Sequence, residues 1–265
     1  SIAGSTSFNS GTANLTLDQA ASTFGTLSIT GADVSVTENA ALDLGASTIS
    51  GAASFNSRGN AITDSGTLAI TGATSFNSGA GDLALDQALS TFGTLSITGA
   101  NVAVTEKAAL DLGVSTISGT ASFSSTNNAI TDSGTLAITG ATTFNSGTAN
   151  LTLDQVSSTF GTLSITGADV SVTENAVLDL GTSTISGTAS FNSSNNAITD
   201  SGTLAITGAT SFDSGTANLT LDQASSTFGT LSITGSDVSV TENAALDLGA
   251  STISGAASFN SRGNA

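Results

Sequence analysis

The chain has 265 residues, 30 of them glycine, with no proline, cysteine, histidine, tryptophan or tyrosine. Three basic residues face 20 acidic ones, a formal charge of −17, which excludes a phosphate-tracking surface and disfavours anionic membranes. Without cysteine there is no disulfide framework and no thiolate metal site, and without histidine the commonest general base is missing. A hydrophobic content of 38% is too high for a disordered tail, and no run of about 18 apolar residues offers a membrane-spanning helix.

In chain order, the first complete unit opens at Thr26–Gly31, TLSITG, introduced by Phe24-Gly25. The same words return at Thr94–Gly99, Thr162–Gly167 and Thr230–Gly235, a period of 68 residues. Fixed self-similarity of this length points to a stacked architecture. We divide the chain into a partial repeat 1–25, full repeats 26–93, 94–161 and 162–229, and a partial repeat 230–265. Together they are expected to form a single β-solenoid segment of a longer array.

One period reads as three related lines: Thr26–Ser47, Thr48–Gly66 and Thr67–Gly93. Each is a short strand, a Gly-Ala corner, a second strand, a polar turn and a third strand. Leu27 and Ile29 alternate with Thr26, Ser28 and Thr30; Val34 and Val36 flank Ser35; Leu42 and Leu44 flank Asp43; Leu68 and Ile70, Phe76, then Leu83 and Leu85 continue the set. Alternation of this kind marks half-buried strands, and no segment carries helical spacing. The fold class expected is all-β: a right-handed, three-sided parallel β-helix (β-solenoid) with three coils per repeat. Coils stack at about 4.8 Å, and parallel crossovers set the hand. One line per coil puts Phe55 beside Phe76, with Val34 or Val36 at the corresponding place. It also stacks the Thr26-Ser28-Thr30 row on Thr48-Ser50 and on Thr67-Ala69-Thr71.

Three features together, TLSITG, the corners Gly31-Ala32, Gly51-Ala52 and Gly72-Ala73, and Phe-Asn-Ser at Phe8–Ser10, Phe55–Ser57, Phe76–Ser78, Phe144–Ser146 and Phe191–Ser193, carry a resemblance. The chain resembles the β-helical stalks of filamentous-haemagglutinin-like adhesins and autotransporter passengers, giant surface fibre proteins of Gram-negative bacteria. The resemblance implies an extracellular, bacterial cell-surface location, passage unfolded through an outer-membrane pore and a structural role. Asparagine in Phe-Asn-Ser suits a turn, because it tolerates left-handed backbone.

Acidic positions recur at Asp33, Glu38, Asp43, Asp64 and Asp86, with Asp82 added in one copy. Catalysis would need one carboxylate pair in a cleft with divergent pKa values. Carboxylates copied into every repeat read instead as a solvated face, so no catalytic residue and no enzyme is expected. Fold kinship with pectate-lyase-like enzymes does not change this, because Arg58, Arg262 and Lys107 are scattered turn substitutions. Oxygen ligands for Ca²⁺ are plentiful, and the candidates are Asp43, Asp86, Asp111, Asp154, Asp179 and Asp222, although glycine-rich and EF-hand calcium motifs are absent. No other cofactor is expected.

Phe24, Phe92, Phe160 and Phe228 occupy the long third line, either as lids on a core corner or as ligand-stacking rings. The function expected is an extracellular fibre or adhesin stalk supplying length, stiffness and a regular acidic surface. Its partners would be further copies of itself, end to end or side by side, or cell-surface and matrix components; nucleic acid is excluded. The alternative is a repetitive binding surface for ice, mineral or carbohydrate on an outward Thr/Ser ladder, and a polysaccharide-lyase-like enzyme comes last.

Overall fold

A computed structural model describes residues 1–19 and 21–262. Among the described residues there are strands and turns and no helix. Every strand pairing is parallel, as in Thr6–Asn9 on Thr26–Gly31 and Val34–Thr37 on Ala53–Asn56. The protein is a β-solenoid. Its contacts divide into two compact units, residues 1–134 and 135–265.

In the first unit the chain alternates between two sheets. Thr26–Gly31 lies in one and Val34–Thr37 in the other. The next layer begins with Leu42–Leu44 and Ser47–Ile49 in the first sheet and returns through Ala53–Asn56 in the second. Such a layer carries three strand segments, two of which share a sheet and meet at Gly45-Ala46. The second unit follows the same order, from Thr162–Gly167 through Leu178–Leu180 and Ser183–Ile185 to Ala189–Asn192.

Side-chain alternation decides which face is buried. Leu27, Ile29, Leu42, Leu44 and Ile49 are at most 1% exposed, while Thr30 and Thr48 between them face solvent. The aromatic ladder runs Val36, Phe55, Phe76, Ile97 in strict register. Phe55 and Phe76 stack with centroids 5.1 Å apart and planes 13° apart, and Phe191 with Phe212 repeats this at 5.2 Å and 12°. Val36, rather than Val34, is the residue under Phe55.

Layers do not coincide with the lines of the sequence. Thr26 pairs with Asp43 and Thr30 with Thr48, so this layer closes after 17 to 18 residues. Leu42 pairs with Ile62 and Ser47 with Leu68, 20 to 21 residues on. Ile62–Leu83 again spans 21, and Ala69 bridges Thr91 at 22. Each step inserts one residue between the two halves of the side, a β-bulge repeated layer upon layer. The expected stacking of Thr26 on Thr48 and Thr67 is therefore wrong. Keeping Leu27 beneath Leu44 and Gly31 beneath Ile49 outweighs the matching of words, because it preserves the buried row.

Each 68-residue repeat winds three coils and carries half of another. As a result Thr26–Gly31 lies in the first sheet and its copy Thr94–Gly99 in the second. The second unit shows the same exchange between Thr162–Gly167 and Leu231–Gly235.

The polar turns differ from expectation in one respect. Asn56, Asn77 and Asn145 are not themselves left-handed. The left-handed residue comes two positions later, at Arg58 (φ 53°), Gly79 (φ 55°) and Gly147 (φ 62°). Its N–H donates to the asparagine Oδ1, at 2.8, 3.0 and 3.0 Å respectively. Asparagine acts here as the acceptor of an Asx-turn, a role that Asp213 takes over toward Gly215 at 2.9 Å.

Truncating the aromatic ladder tests this packing. Phe76→Ala removes a ring with no exposure and is expected to lower stability by about 3–5 kcal/mol. Leu89→Ala, at a side chain that is 61% exposed, should cost clearly less. Urea unfolding followed by circular dichroism separates the two, and equal losses would contradict the ladder.

Candidate functional site

Two classes of carboxylate emerge, one outside the core and one within it. Asp43 represents the first. It is half-buried on the long side of its layer, and its oxygens accept from Thr26 Oγ1 (2.7 Å), Ser65 Oγ (2.9 Å) and Thr63 Oγ1 (3.4 Å). Asp111 repeats this set with Thr94, Ser133 and Thr131, and Asp179 with Thr162, Ser201 and Thr199. Asp86, Asp154 and Asp222 are exposed turn residues whose Oδ1 accepts from the amide of the following glutamine. The register puts Thr63 and then Ala84 over Asp43, so the two families of calcium candidates are not brought together. Among the described residues no group of three or more Asp, Glu, His or Cys side chains is arranged to hold a metal ion.

Corner carboxylates form short ladders beside shallow surface grooves. Asn14 Oδ1 accepts the Asp33 N–H at 3.2 Å, and Asp33 Oδ1 accepts the Ala52 N–H at 2.9 Å. In the second unit Asn150, Asp169 and Thr188 repeat the arrangement beside a groove of about 240 Å³. The exposed Asp169 carboxyl lies below the usual carboxylate range, because the Thr188 backbone N–H and hydroxyl both donate to it. Related grooves recur at Asp33 and Asp237.

The second class corrects the solvated-face expectation. Glu38, Glu106, Glu174 and Glu242 have no exposed surface, and Asp64, Asp132 and Asp200 are 5–7% exposed. The glutamate Oε1 accepts a backbone N–H from Phe24 (2.7 Å), Phe92 (2.8 Å), Phe160 (2.6 Å) and Phe228 (2.8 Å). Asp64 Oδ1 accepts the Asp86 N–H and Asp200 Oδ1 the Asp222 N–H, both at 2.8 Å. Buried serines act alike: Ser47 Oγ accepts from Ile29 N (2.9 Å) and Ser90 Oγ from Leu68 N (3.0 Å). All of these amides lie where the register slips.

Burial raises the carboxyl pKa, and the backbone amides that donate to the group only partly offset it. Glu106 is pushed up to about 7 and Glu174 to about 8. Asp64 and Asp200 rise to about 6, again chiefly by burial, with a smaller contribution from the charge of Asp86 or Asp222. The second glutamate oxygen, Oε2, has no partner at any of the four positions. A carboxyl so placed is held near neutrality and is aimed at backbone, not at a groove.

The phenylalanines of the long line are core residues. Phe92, Phe160 and Phe228 are 6–7% exposed. Phe92 meets Phe76 edge to face at 6.0 Å and 88°, and Phe228 meets Phe212 at 5.9 Å and 88°. These three close the core as lids, and Phe24 is half-buried and meets Phe8 edge to face at 5.9 Å and 84°.

Three consecutive segments, residues 31–98, 99–166 and 167–234, match a family of repeats of unknown function (DUF5649). The matched units open at Gly31, Gly99 and Gly167, the last residues of the TLSITG strands, and keep the 68-residue period. No curated protein and no solved structure matches the chain.

The raised values fix a sign for the pH dependence. A carboxyl whose folded pKa exceeds its unfolded value costs nothing below about pH 4.5; stability then falls as pH rises, until the folded group also ionises. The loss should develop between about pH 4.5 and pH 8 and come to roughly 3 kcal/mol for Glu106 and roughly 5 kcal/mol for Glu174, at about 1.4 kcal/mol per pH unit. Combining Glu106→Gln with Glu174→Gln keeps the acceptor and removes the ionisation, so the variant should lose less stability than the parent between pH 5 and pH 9. Parallel melting curves for the two proteins across that range would refute the assignment.

Proposed function

The chain belongs to the DUF5649 repeats, and from the way its parts recur we propose that it is a structural segment of an extracellular fibre or adhesin stalk. The observation that carries the proposal is recurrence. The same buried row, the same amide-accepting Ser, Asp and Glu, and the same outward hydroxyl–Asp clusters return in every full repeat. Catalysis needs one place unlike the others; a spacer needs none.

Mechanically, the backbone hydrogen bonds between layers lie along the stacking direction, so tension is shared among the many bonds of each layer. The resemblance to filamentous-haemagglutinin-like and autotransporter stalks supports a bacterial cell-surface location, as does the absence of cysteine. Mutual repulsion of a surface with formal charge −17 would hold neighbouring fibres apart, and further copies or matrix components would be its partners. The continuous Thr ladder needed for an ice-type surface is interrupted, since Thr26 lies on Asp43 and Thr63 lies on Ala84.

Inserting one 68-residue repeat tests the role directly. It should add three and a half layers, about 17 Å at ~4.8 Å per layer, without lowering the melting temperature. Contour lengths from electron or atomic-force microscopy of variants differing by one, two and three repeats would measure the increment. An increment independent of repeat number, or progressive destabilisation, would reject the stalk.

A further inference from the structure

Four asparagines, Asn14, Asn150, Asn192 and Asn218, are followed two residues on by serine or threonine, with no proline between. That spacing is the acceptor sequence for N-linked sugar. Three of the four are one repeated word, Asn-Leu-Thr, at a corner of the coil. In the remaining copy both ends of the word change together, to Asp82-Leu83-Ala84. Asn150 shows the geometry within the second unit. It is exposed, Leu151 is buried and Thr152 is half-buried, so strand alternation turns the carboxamide and the hydroxyl to the same outward face. Asn150 Oδ1 accepts the Asp169 N–H at 3.2 Å, which fixes the carboxamide and leaves Nδ2 without a partner among the described residues. Asn150 and Thr152 line the groove of about 240 Å³ that they share with Asp169, Ser171, Thr188 and Ser190. Asn14 with Thr16, and Asn218 with Thr220, line related grooves. Asn192 differs. It is half-buried, and its Oδ1 accepts the N–H of Ser194, whose left-handed φ of 52° ends the extended strand.

We propose that Asn150, with its copies Asn14 and Asn218, is an N-glycosylation site that takes a diphosphate-activated sugar from a glycosyltransferase. Asn150 Nδ2 attacks the anomeric carbon of the sugar, and the new C–N bond forms as the C–O bond to the diphosphate breaks. The diphosphate leaves with the electron pair, Nδ2 gives up one proton, and nothing is oxidised or reduced. Transfer needs no opening of the core, because the reacting side chain is exposed while Leu151 between the two acceptor residues stays buried. Beside it, the hydroxyls of Ser171 and Ser190 and the carboxylate of Asp169 are placed to pair with hydroxyls of the first sugar ring, which settles it along the groove. In the second unit Leu151–Leu153 and Leu219–Leu221 belong to different sheets, so the sugars on Asn150 and Asn218 leave from different sheets. The modification is independent of the stalk reading.

Mass spectrometry of the chain isolated from the cells that make it, after cleavage before aspartate, reads each position separately. The peptides holding Asn14, Asn150 and Asn218 should carry added sugar mass, and those holding Asp82 or Asn192 should not. Two variants borrow residues that the fold already accepts at this corner, so both should fold. Asn150→Asp, the residue found at Asp82, should abolish the addition at that position. Thr152→Ala, the residue found at Ala84, should abolish it with the asparagine still in place, and Thr152→Ser should keep it; chemical glycation would not make that distinction. Chain made by cell-free synthesis and supplied with fractions of the same cells identifies the donor. Transfer by the soluble fraction with a nucleotide sugar indicates a nucleotide diphosphate, and transfer by membranes alone indicates a lipid diphosphate; either result supports the site. No sugar on any of the three asparagines, sugar on Asn192 in their place, or addition that persists in Thr152→Ala would overturn the assignment. The contour-length increment per repeat does not depend on bound sugar, so either reading can fail without the other.

Discussion

Every backbone amide turned toward the core of a stacked coil needs an acceptor, and the layers of this chain are unequal in length. Where one layer is a residue longer than its neighbour, the ladder slips and an amide loses its carbonyl partner. Leaving it unpaired would cost about 1–3 kcal/mol. The chain answers with buried side chains: Ser47 for Ile29, Asp64 for Asp86, Ser90 for Leu68 and Glu106 for Phe92. These four positions account for most of the polar side chains held in the core between turns, and all recur with the period. The bulged side and its polar acceptors are therefore one feature, since neither is tolerable without the other.

That constraint explains why an acidic protein buries acids. Glutamine or serine would serve the amide without an ionisation, yet a glutamate reaches Phe92 from the neighbouring layer and leaves Oε2 enclosed. Enclosure holds the group protonated over a range in which surface carboxylates are ionised. Divergent carboxyl pKa values in one molecule are a signature often read as catalytic. Here the perturbed groups face backbone amides inside the core, and the exposed ones face hydroxyls outside it. Burial is the largest cause of every raised value, so packing accounts for the divergence.

Much of this was legible in the residues. Alternation at Leu27, Ile29, Leu42 and Leu44 gave the buried face, and the Phe55–Phe76 contact followed from the spacing. The same rule, extended two residues, also marks the buried acids. Val34, Val36 and Glu38 share one parity, as do Ile62 and Asp64. Composition hid them, because an acid at the end of a strand is ordinarily taken to face water. Register was not legible. Three lines beginning with similar words invite alignment on those words, whereas the fold aligns Leu27 with Leu44 and Gly31 with Ile49. Nor does asparagine in Phe-Asn-Ser disclose that it acts through its side chain while the next residue but one takes the left-handed turn.

The half coil left over in each repeat has a consequence for any surface role. Because Thr26–Gly31 and Thr94–Gly99 lie in different sheets, an outward pattern does not recur in the same sheet from one repeat to the next. Within one sheet, layers with a six-residue straight strand alternate with bulged layers and with short four-residue strands. A ligand lattice that required one flat, uninterrupted row would meet a change of width and an aspartate within two layers. Contacts confined to a single layer suffer no such mismatch, since each is complete in itself. On the stalk reading proposed above, interactions that count layers matter more than interactions that read a face, and length is the property that counting layers controls.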